Sequence, residues 1–245
     1  MLKSDSIDPD YLPVHIGIIM DGNGRWARNR GKSRRYGHRE GLKAAKRVVK
    51  TASDIGIKNL SLYVFSTENW RRAESEVSYL MLLIKTHLKK ELDFYRENRI
   101  RVIHSGDLEG LPPEIIREIE NVARDTATYE GLTVNLAINY GGRDEIVRAI
   151  KRWLKEEGKN GKSIRSLRFG ERDLSRFLDH PELPDPDLII RTSGEMRTSN
   201  FLLWESSYSE LYFSPKMWPD WMGEDLLEAI SCYQRRERRF GTAEK

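Results

Sequence analysis

The run His15-Ile16-Gly17-Ile18-Ile19-Met20, followed at once by Asp21-Gly22-Asn23-Gly24-Arg25-Trp26, constrains this chain more than any other stretch. A short, almost wholly apolar run that stops at an acid and two glycines reads as a core strand of a parallel sheet. In open α/β sheets ligands bind beyond the carboxyl ends of strands, and Asp21 stands at such an end. Gly22 and Gly24 allow backbone N–H groups to approach a ligand, and the start of the helix behind them favours an anion. The same residues also fit an ordinary strand-to-helix turn. In that reading Asp21 is a cap, and Arg25 and Trp26 are surface residues. This stretch alone leaves both readings open.

The rest of the chain repeats the alternation. Strands are expected at Val14–Met20, Leu60–Phe65, Ile100–His104, Leu132–Ile138, Asp187–Ile190 and Leu211–Phe213. Helices are expected at 37–55, 74–98, from Pro113 to about residue 129, 144–157, 173–178, and from Glu224 into the arginines near the C-terminus. Residues 1–13 read as a flexible arm and 14–245 as one domain; the polar stretch 158–163 reads as a disordered insert. Alternating strands and helices without a repeat predict a single α/β domain around a six-stranded, mostly parallel sheet. Such a sheet gathers Asp21, the 66–70 segment, Asn139-Tyr140-Gly141-Gly142 and Arg191-Thr192-Ser193-Gly194 on one edge.

Composition narrows the chemistry. The single cysteine, Cys232, excludes an internal disulfide framework and a cysteine metal cluster. No run approaches the length of a membrane-spanning helix, no signal-peptide pattern opens the chain, and a cytoplasmic location is the expectation. Net charge is only +4, yet eleven Lys/Arg and one acid fall between Arg25 and Lys50. A second cluster is Arg235, Arg236, Arg238 and Arg239. Such patches suit an anionic partner, although a solvated helix face also carries charge runs.

Several familiar patterns fail. Gly22-Asn23-Gly24-Arg25-Trp26-Ala27 mimics a dinucleotide turn, but no acid ends the second strand to hold a ribose. Gly31-Lys32-Ser33 and Gly161-Lys162-Ser163 lack the first glycine of a P-loop. The five histidines show no metal-ligand spacing, and no G-x-S-x-G elbow or Asp-Asp pair occurs. No nucleic-acid-binding pattern is visible, and nucleic acid is not an expected partner.

Longer blocks carry a resemblance. They are His15-x4-Met20-Asp21-Gly22-Asn23-Gly24-Arg25-Trp26-Ala27, Gly31-x2-Arg34-x2-Gly37-His38, and Leu62 through Trp70 with Arg72. Further on come Asn139 through Arg143, Arg191 through Glu195 with Arg197, Ser199 and 200–204, Glu210 through Phe213, Trp218-Pro219-Asp220 and Arg236 through Gly241. In this order the chain resembles the cis-prenyltransferase family, whose bacterial type is undecaprenyl diphosphate synthase. The resemblance implies a Mg²⁺-dependent homodimer with a hydrophobic tunnel. It condenses isopentenyl diphosphate with an allylic diphosphate, usually farnesyl diphosphate, to make a Z-polyprenyl diphosphate. Transient association with a membrane surface is compatible with such a product.

Residue by residue, the resemblance implies that Gly22, Asn23, Gly24, Arg25 and Trp26 cradle the allylic diphosphate, with charge added by Arg34 and His38. Asp21 becomes the essential acid and a Mg²⁺ ligand, with Glu210 as a second metal-linked acid. Met196 stands where some members have a histidine near the metal. Arg191, Arg197, Thr198 and Ser199 match the homoallylic diphosphate pocket. Ser66, Thr67, Glu68, Asn69, Trp70 and Arg72 match a loop that closes over substrates, with Asn69 cast in proton removal. Arg239-x-Gly241 matches a tail that reaches the partner subunit's site. Val64 and Leu132 fall where the family sets tunnel depth. The 74–98 helix either lines that tunnel or is plain core. Shorter products, a geranylgeranyl diphosphate primer and a non-catalytic partner subunit are the alternatives, although the last class loses the Asp and glycine turn present here.

Overall fold

All six expected strands form, and every neighbouring pair is parallel. The computed structural model describes residues 7–159 and 168–236. In chain order the elements are β1 (His15–Ile19), α1 (Asn23–Arg28), α2 (Arg34–Asp54), β2 (Asn59–Ser66), α3 (Glu74–Lys90), α4 (Leu92–Glu97), β3 (Arg101–Ser105) and α5 (Pro113–Asp125). They continue with β4 (Thr133–Tyr140), α6 (Gly142–Lys159), α7 (Glu171–Arg176), β5 (Leu188–Arg191), β6 (Glu210–Phe213) and α8 (Gly223–Gln234). The sheet order is β3-β4-β2-β1-β5-β6. The chain thus leaves β1 toward β2 on one side and later returns to lay β5 on the other. The gap beyond the ends of β1 and β5 is the topological switch point, where such sheets bind ligands.

Burial explains the parallel sheet. All five residues of β1 and all four of β5 are buried, as strands covered on both faces must be. Ile16, Ile18, Leu60 and Leu62 join α2, α3, α5 and α8 in the main core. On the opposite face Ile19, Ala137 and Ile189 pack with Phe201 and Leu202. A polar ladder crosses the sheet: His15 Nε2 lies 2.8 Å from Ser61 Oγ, Asn135 donates to Ser61 at 3.1 Å, and Ser105 donates to Asn135 at 3.0 Å. His15 is thus a satisfied core residue, held below its ordinary pKa by burial.

Several helix boundaries differ from expectation. α2 begins at Arg34 because the Ser33 hydroxyl accepts from Tyr36 N at 3.3 Å. α5 stops at Asp125, where the Thr126 hydroxyl turns back to accept from Val102 N. The expected 74–98 helix is two helices, joined at Glu91 with φ −93° and ψ 7°. α8 ends at Gln234, short of the arginines. Of the expected insert, Gly158 and Lys159 end α6, and 160–163 lie outside the described residues. Of the expected arm, residues 1–6 lie outside them, while the carbonyls of Asp8 and Tyr11 accept from Gln234 at 2.7 and 2.8 Å.

Candidate active site

Asp21 closes β1 and Arg191 closes β5, so their neighbouring strands bring them together. Arg191 Nη2 donates to Asp21 Oδ2 at 2.9 Å, and Arg25 Nη2 lies 3.5 Å from the same oxygen. Arg191 Nη1 donates to Ser199 Oγ at 2.6 Å and to the Arg197 carbonyl at 2.7 Å. The Arg191 side chain is only 6% exposed, and its Nε is buried with no hydrogen-bond partner among the described residues. A buried guanidinium with a spare donor suits an anionic ligand. Asp21 keeps its other oxygen on Gly22 N at 2.6 Å.

Gly22 follows with φ +102°, a conformation that glycine adopts at no steric cost. This bend starts α1, whose first N–H groups have no intrahelical acceptor. Arg25 Nη1 also reaches Glu195 at 2.9 Å, and Glu195 in turn binds Arg197 at 2.6 Å. Trp26 turns away from this edge. It is buried, donates to Asp220 at 2.6 Å and stacks on Tyr36. Its place is in the packing of α1 against the 218–220 turn.

A second charged cluster stands on the other side of the cleft. Glu76, on α3, lies 3.0 Å from Arg72, 3.3 Å from Arg34 and 3.6 Å from His38 Nε2. Burial first, then Arg72, holds the His38 pKa below its ordinary value against the pull of Glu76. In the unliganded site this shift disfavours the charge expected of His38. Its Nε2 is buried without a hydrogen-bond partner among the described residues.

The 66–72 segment forms a 3-10 turn capped by Asn69, whose Oδ1 accepts from Ser66 N at 3.2 Å. Trp70 donates to Asn139 at 2.7 Å and meets the edge of Phe65. Thr67 borders Gly141, where an added Cβ would lie 2.6 Å from its hydroxyl. Asn200 joins three segments. It donates to Glu68 at 2.9 Å, accepts from Arg143 N at 2.9 Å, and its carbonyl accepts from Gly142 N at 2.8 Å. Burial pushes the Glu68 carboxyl up, but hydrogen bonds, Asn200's first, outweigh it and hold the pKa down. Ser199, Asn200 and Leu202 all take positive φ, a strained run of the kind found at ligand sites. Thr198 lies just before it, and its carbonyl accepts from Phe201 N.

Of these groups, Asp21, His38, Ser66, Glu68, Asn69, Arg72, Arg191, Ser199 and Asn200 line a cleft of about 540 Å³. Met20, Tyr63, Val64 and Leu80 line this cleft and also a deeper apolar cavity of about 110 Å³ between α2, α3 and the sheet. Leu132 is core and lines neither.

Glu210 is placed elsewhere. It opens β6 and pairs in register with Leu188 and through it with Ile16, five residues before Asp21. At about 3.3 Å per residue, that sets the two acids roughly 16 Å apart along the strand direction. Glu210 instead binds Arg236. Within one chain the two expected metal acids therefore do not meet, and no group of three or more potential ligands occurs among the described residues. Met196 is 76% exposed on the Glu195–Arg197 loop. Arg239 and Gly241 lie outside the described residues. Glu76 and Asn200 are among the members of the site that sequence reasoning left without a role. Asn200 sat inside a quoted motif, whereas Glu76 was one acid among several on a helix.

The family model described as "Putative undecaprenyl diphosphate synthase" matches residues 19–241. An isoprenyl transferase of Treponema denticola is 52% identical, covering 94% of this chain and 97% of its own. One from Thermotoga maritima is 47% identical over 94% and 97%. Among solved structures, lavandulyl diphosphate synthase from Lavandula x intermedia, in complex with dimethylallyl diphosphate, has a TM-score of 0.87 and 32% identity, covering 94% of this chain and 99% of its own. A probable undecaprenyl diphosphate synthase from Campylobacter jejuni has a TM-score of 0.79 and 34% identity over 95% and 99%. With family match, relatives and fold all in agreement, the chain belongs to the undecaprenyl diphosphate synthase family and is an isoprenyl transferase of the cis-prenyltransferase type.

Proposed function

We propose that this enzyme condenses isopentenyl diphosphate with an allylic diphosphate, farnesyl diphosphate first among candidates, to make a long Z-polyprenyl diphosphate of the undecaprenyl class. One observation carries the reading: a cleft lined by Arg72 and Arg191 shares Met20, Tyr63, Val64 and Leu80 with an adjoining apolar cavity. A prenyl diphosphate has the same two halves. The glycine turn with Arg25, Arg34 and Arg72 suits the allylic diphosphate, and Arg191 with Arg197 and Ser199 suits the second. Planar guanidinium forks bind phosphate oxygens in pairs, and charge on a departing diphosphate is what this reaction must stabilise.

Asp21 fits a Mg²⁺ site. Its carboxylate is 31% exposed at the cleft, and Mg²⁺ commonly takes one or two carboxylates with the rest from phosphate and water. Bound there, Mg²⁺ supplies charge for diphosphate departure. Asp21 and Arg191 orient the diphosphate, Tyr63 and Val64 guide the apolar chain inward, and the 66–72 turn excludes water. Asn69 spends its Oδ1 on Ser66 N, so its part in proton loss is to place the turn.

A homodimer is part of the proposal. Glu210 cannot share a metal with Asp21 inside one chain, and β6 is an edge strand with Leu211 36% exposed. No described helix is long and apolar enough to cross a membrane. A cytoplasmic location, with transient association at a membrane surface, completes the proposal.

The test is labelled isopentenyl diphosphate offered with C5, C10, C15 and C20 allylic primers, with Mg²⁺ or with chelator, and products sized by mass. Long-chain product that needs Mg²⁺ is expected. No incorporation with any primer sinks the proposal. A shorter product is the second reading, favoured by Val64 in the cavity wall and by the small cavity.

A further inference from the structure

At Gly141-Gly142 three segments come too close for a side chain. A Cβ on Gly141 would stand 2.6 Å from Thr67 Oγ1 and 2.8 Å from Asn200 Nδ2, and one on Gly142 would stand 2.5 Å from Leu203 Cβ. The glycine pair follows β4 and opens α6. It lets the 66–72 turn and the 199–202 run meet over the start of that helix.

Asn200 stands at the meeting point. α6 begins at Gly142, so its first N–H groups have no acceptor inside the helix. Asn200 serves two of them from outside. Its carbonyl accepts from Gly142 N at 2.8 Å, and its Oδ1 accepts from Arg143 N at 2.9 Å. With Oδ1 turned to an N–H donor, the amide has one satisfied orientation, and Nδ2 donates to Glu68 Oε1 at 2.9 Å. Ser199 and Asn200 have φ of +49° and +66°. Asn visits that left-handed conformation readily, whereas Ser pays a steric cost there. The three bonds of Asn200 hold its neighbour in place.

What they hold is one wall of the cleft. Ser199 Oγ accepts from Arg191 Nη1 at 2.6 Å, and the Ser199 carbonyl accepts from the Tyr63 hydroxyl at 3.4 Å. Arg191 in turn donates to Asp21 at 2.9 Å. A continuous set of contacts therefore runs from Glu68 through Asn200, Ser199 and Arg191 to Asp21, with α6 as its anchor.

We propose that Asn200 is a positioning residue for the second diphosphate: it ties the 66–72 turn to α6 and thereby fixes the Ser199 hydroxyl beside Arg191. This rests on the prenyl-transfer reading above, in which Arg191 and Ser199 bind isopentenyl diphosphate.

Asn200→Asp separates the two jobs of the side chain. The carboxylate still accepts from Arg143 N, at a helix N-terminus that favours negative charge. It has no N–H for Glu68, and two carboxylates then face each other across that contact.

The test measures Tm and steady-state kinetics for wild type, N200D, E68Q and N200D/E68Q, with labelled isopentenyl diphosphate and farnesyl diphosphate as primer. In N200D the KM for isopentenyl diphosphate is expected to rise roughly tenfold, the scale of losing one hydrogen bond to a charged group, with Tm unchanged. In N200D/E68Q the new amide donates to the new carboxylate, and KM is expected to return to within about threefold of E68Q alone. If N200D does not fold, Asn200→Gly carries the same KM expectation, since glycine takes this φ at no steric cost and keeps the carbonyl bond. Unchanged KM in folded N200D, or a rise that E68Q does not reverse, overturns the positioning role. A lowered Tm with unchanged KM marks the contact as structural only and overturns it too. A wild type that incorporates no isopentenyl diphosphate overturns the function reading itself, and this role with it.

Discussion

Asp21 Oδ2 and Arg191 Nη2 lie 2.9 Å apart across the ends of β1 and β5, joining the two strands that flank the switch point. The acid is thereby held in place from one side by Arg191 and from the other by Gly22 N. Under the proposed function, a bound diphosphate would compete with Asp21 for the arginine and free its carboxylate.

Asp21→Asn tests this arrangement, because the amide oxygen still accepts from Gly22 N while the charge is gone. Turnover is expected to fall about 100-fold or more, the scale of losing one well-placed electrostatic group. Substrate KM is expected to stay within a few-fold. Steady-state kinetics checks it, and near-normal turnover removes Asp21 from its role.

Glu76 gathers Arg34, Arg72 and His38 on one side of the cleft. Glu76→Gln leaves the two arginines without the acid that positions them. Charge-assisted hydrogen bonds contribute about 1.5–3 kcal/mol, so KM for the allylic diphosphate is expected to rise roughly tenfold or more with a smaller change in kcat. Equal KM in variant and wild type rules the positioning role out.

The strand-end edge was legible because each strand is a short apolar run stopped by polar or glycine residues, as at Met20-Asp21 and Ile190-Arg191. Glu76 was not, since helical spacing alone does not say which of Glu74 and Glu76 faces a cleft. The joint at Glu91 was hidden for a similar reason. Leu88, Leu92 and Tyr95 keep an apolar spacing straight across it. Glu210 was near Asp21 only by resemblance; its place depends on the register of β6 against β5, which no local pattern encodes.

Gly37 packs α2 onto the turn so closely that an added Cβ would stand 2.0 Å from the Asn23 carbonyl oxygen. Backbone cannot move aside as a side chain can. Gly37→Ala is expected to destabilise by about 1–3 kcal/mol, the usual range for overpacking, and to displace the 22–25 turn. Thermal unfolding with diphosphate-binding measurements checks both, and a variant with unchanged Tm and affinity contradicts the packing argument.

Trp26 separates a structural role from a ligand contact. Its indole N–H is held by Asp220, with Arg30 4.2 Å from the ring centroid. Trp26→Phe is expected to lower stability by about 1 kcal/mol through the lost hydrogen bond, leaving KM unchanged. A raised KM with unchanged Tm points instead to direct contact with substrate.

Glu205, three residues past the strained 199–202 run, faces Glu145 in a buried place, and its Oε2 has no hydrogen-bond partner among the described residues. Tyr140 and Asp179 N both donate to Glu145. Burial first, then the Glu145 charge, pushes the Glu205 pKa up to about 8. A proton on Glu205 satisfies the orphan oxygen and removes the repulsion. The folded state therefore binds this proton more tightly than the unfolded state, whose carboxyl titrates near 4.5. The contribution of Glu205 is fully present below pH 4.5 and falls away as pH rises toward 8. Glu205→Gln, which carries its own N–H donors and no charge, is expected to unfold at a Tm less sensitive to pH between 5 and 8 than wild type. Its advantage is expected to grow with pH and to reach the order of a few kcal/mol at pH 8. Parallel Tm-against-pH curves for the two proteins contradict a proton held on Glu205.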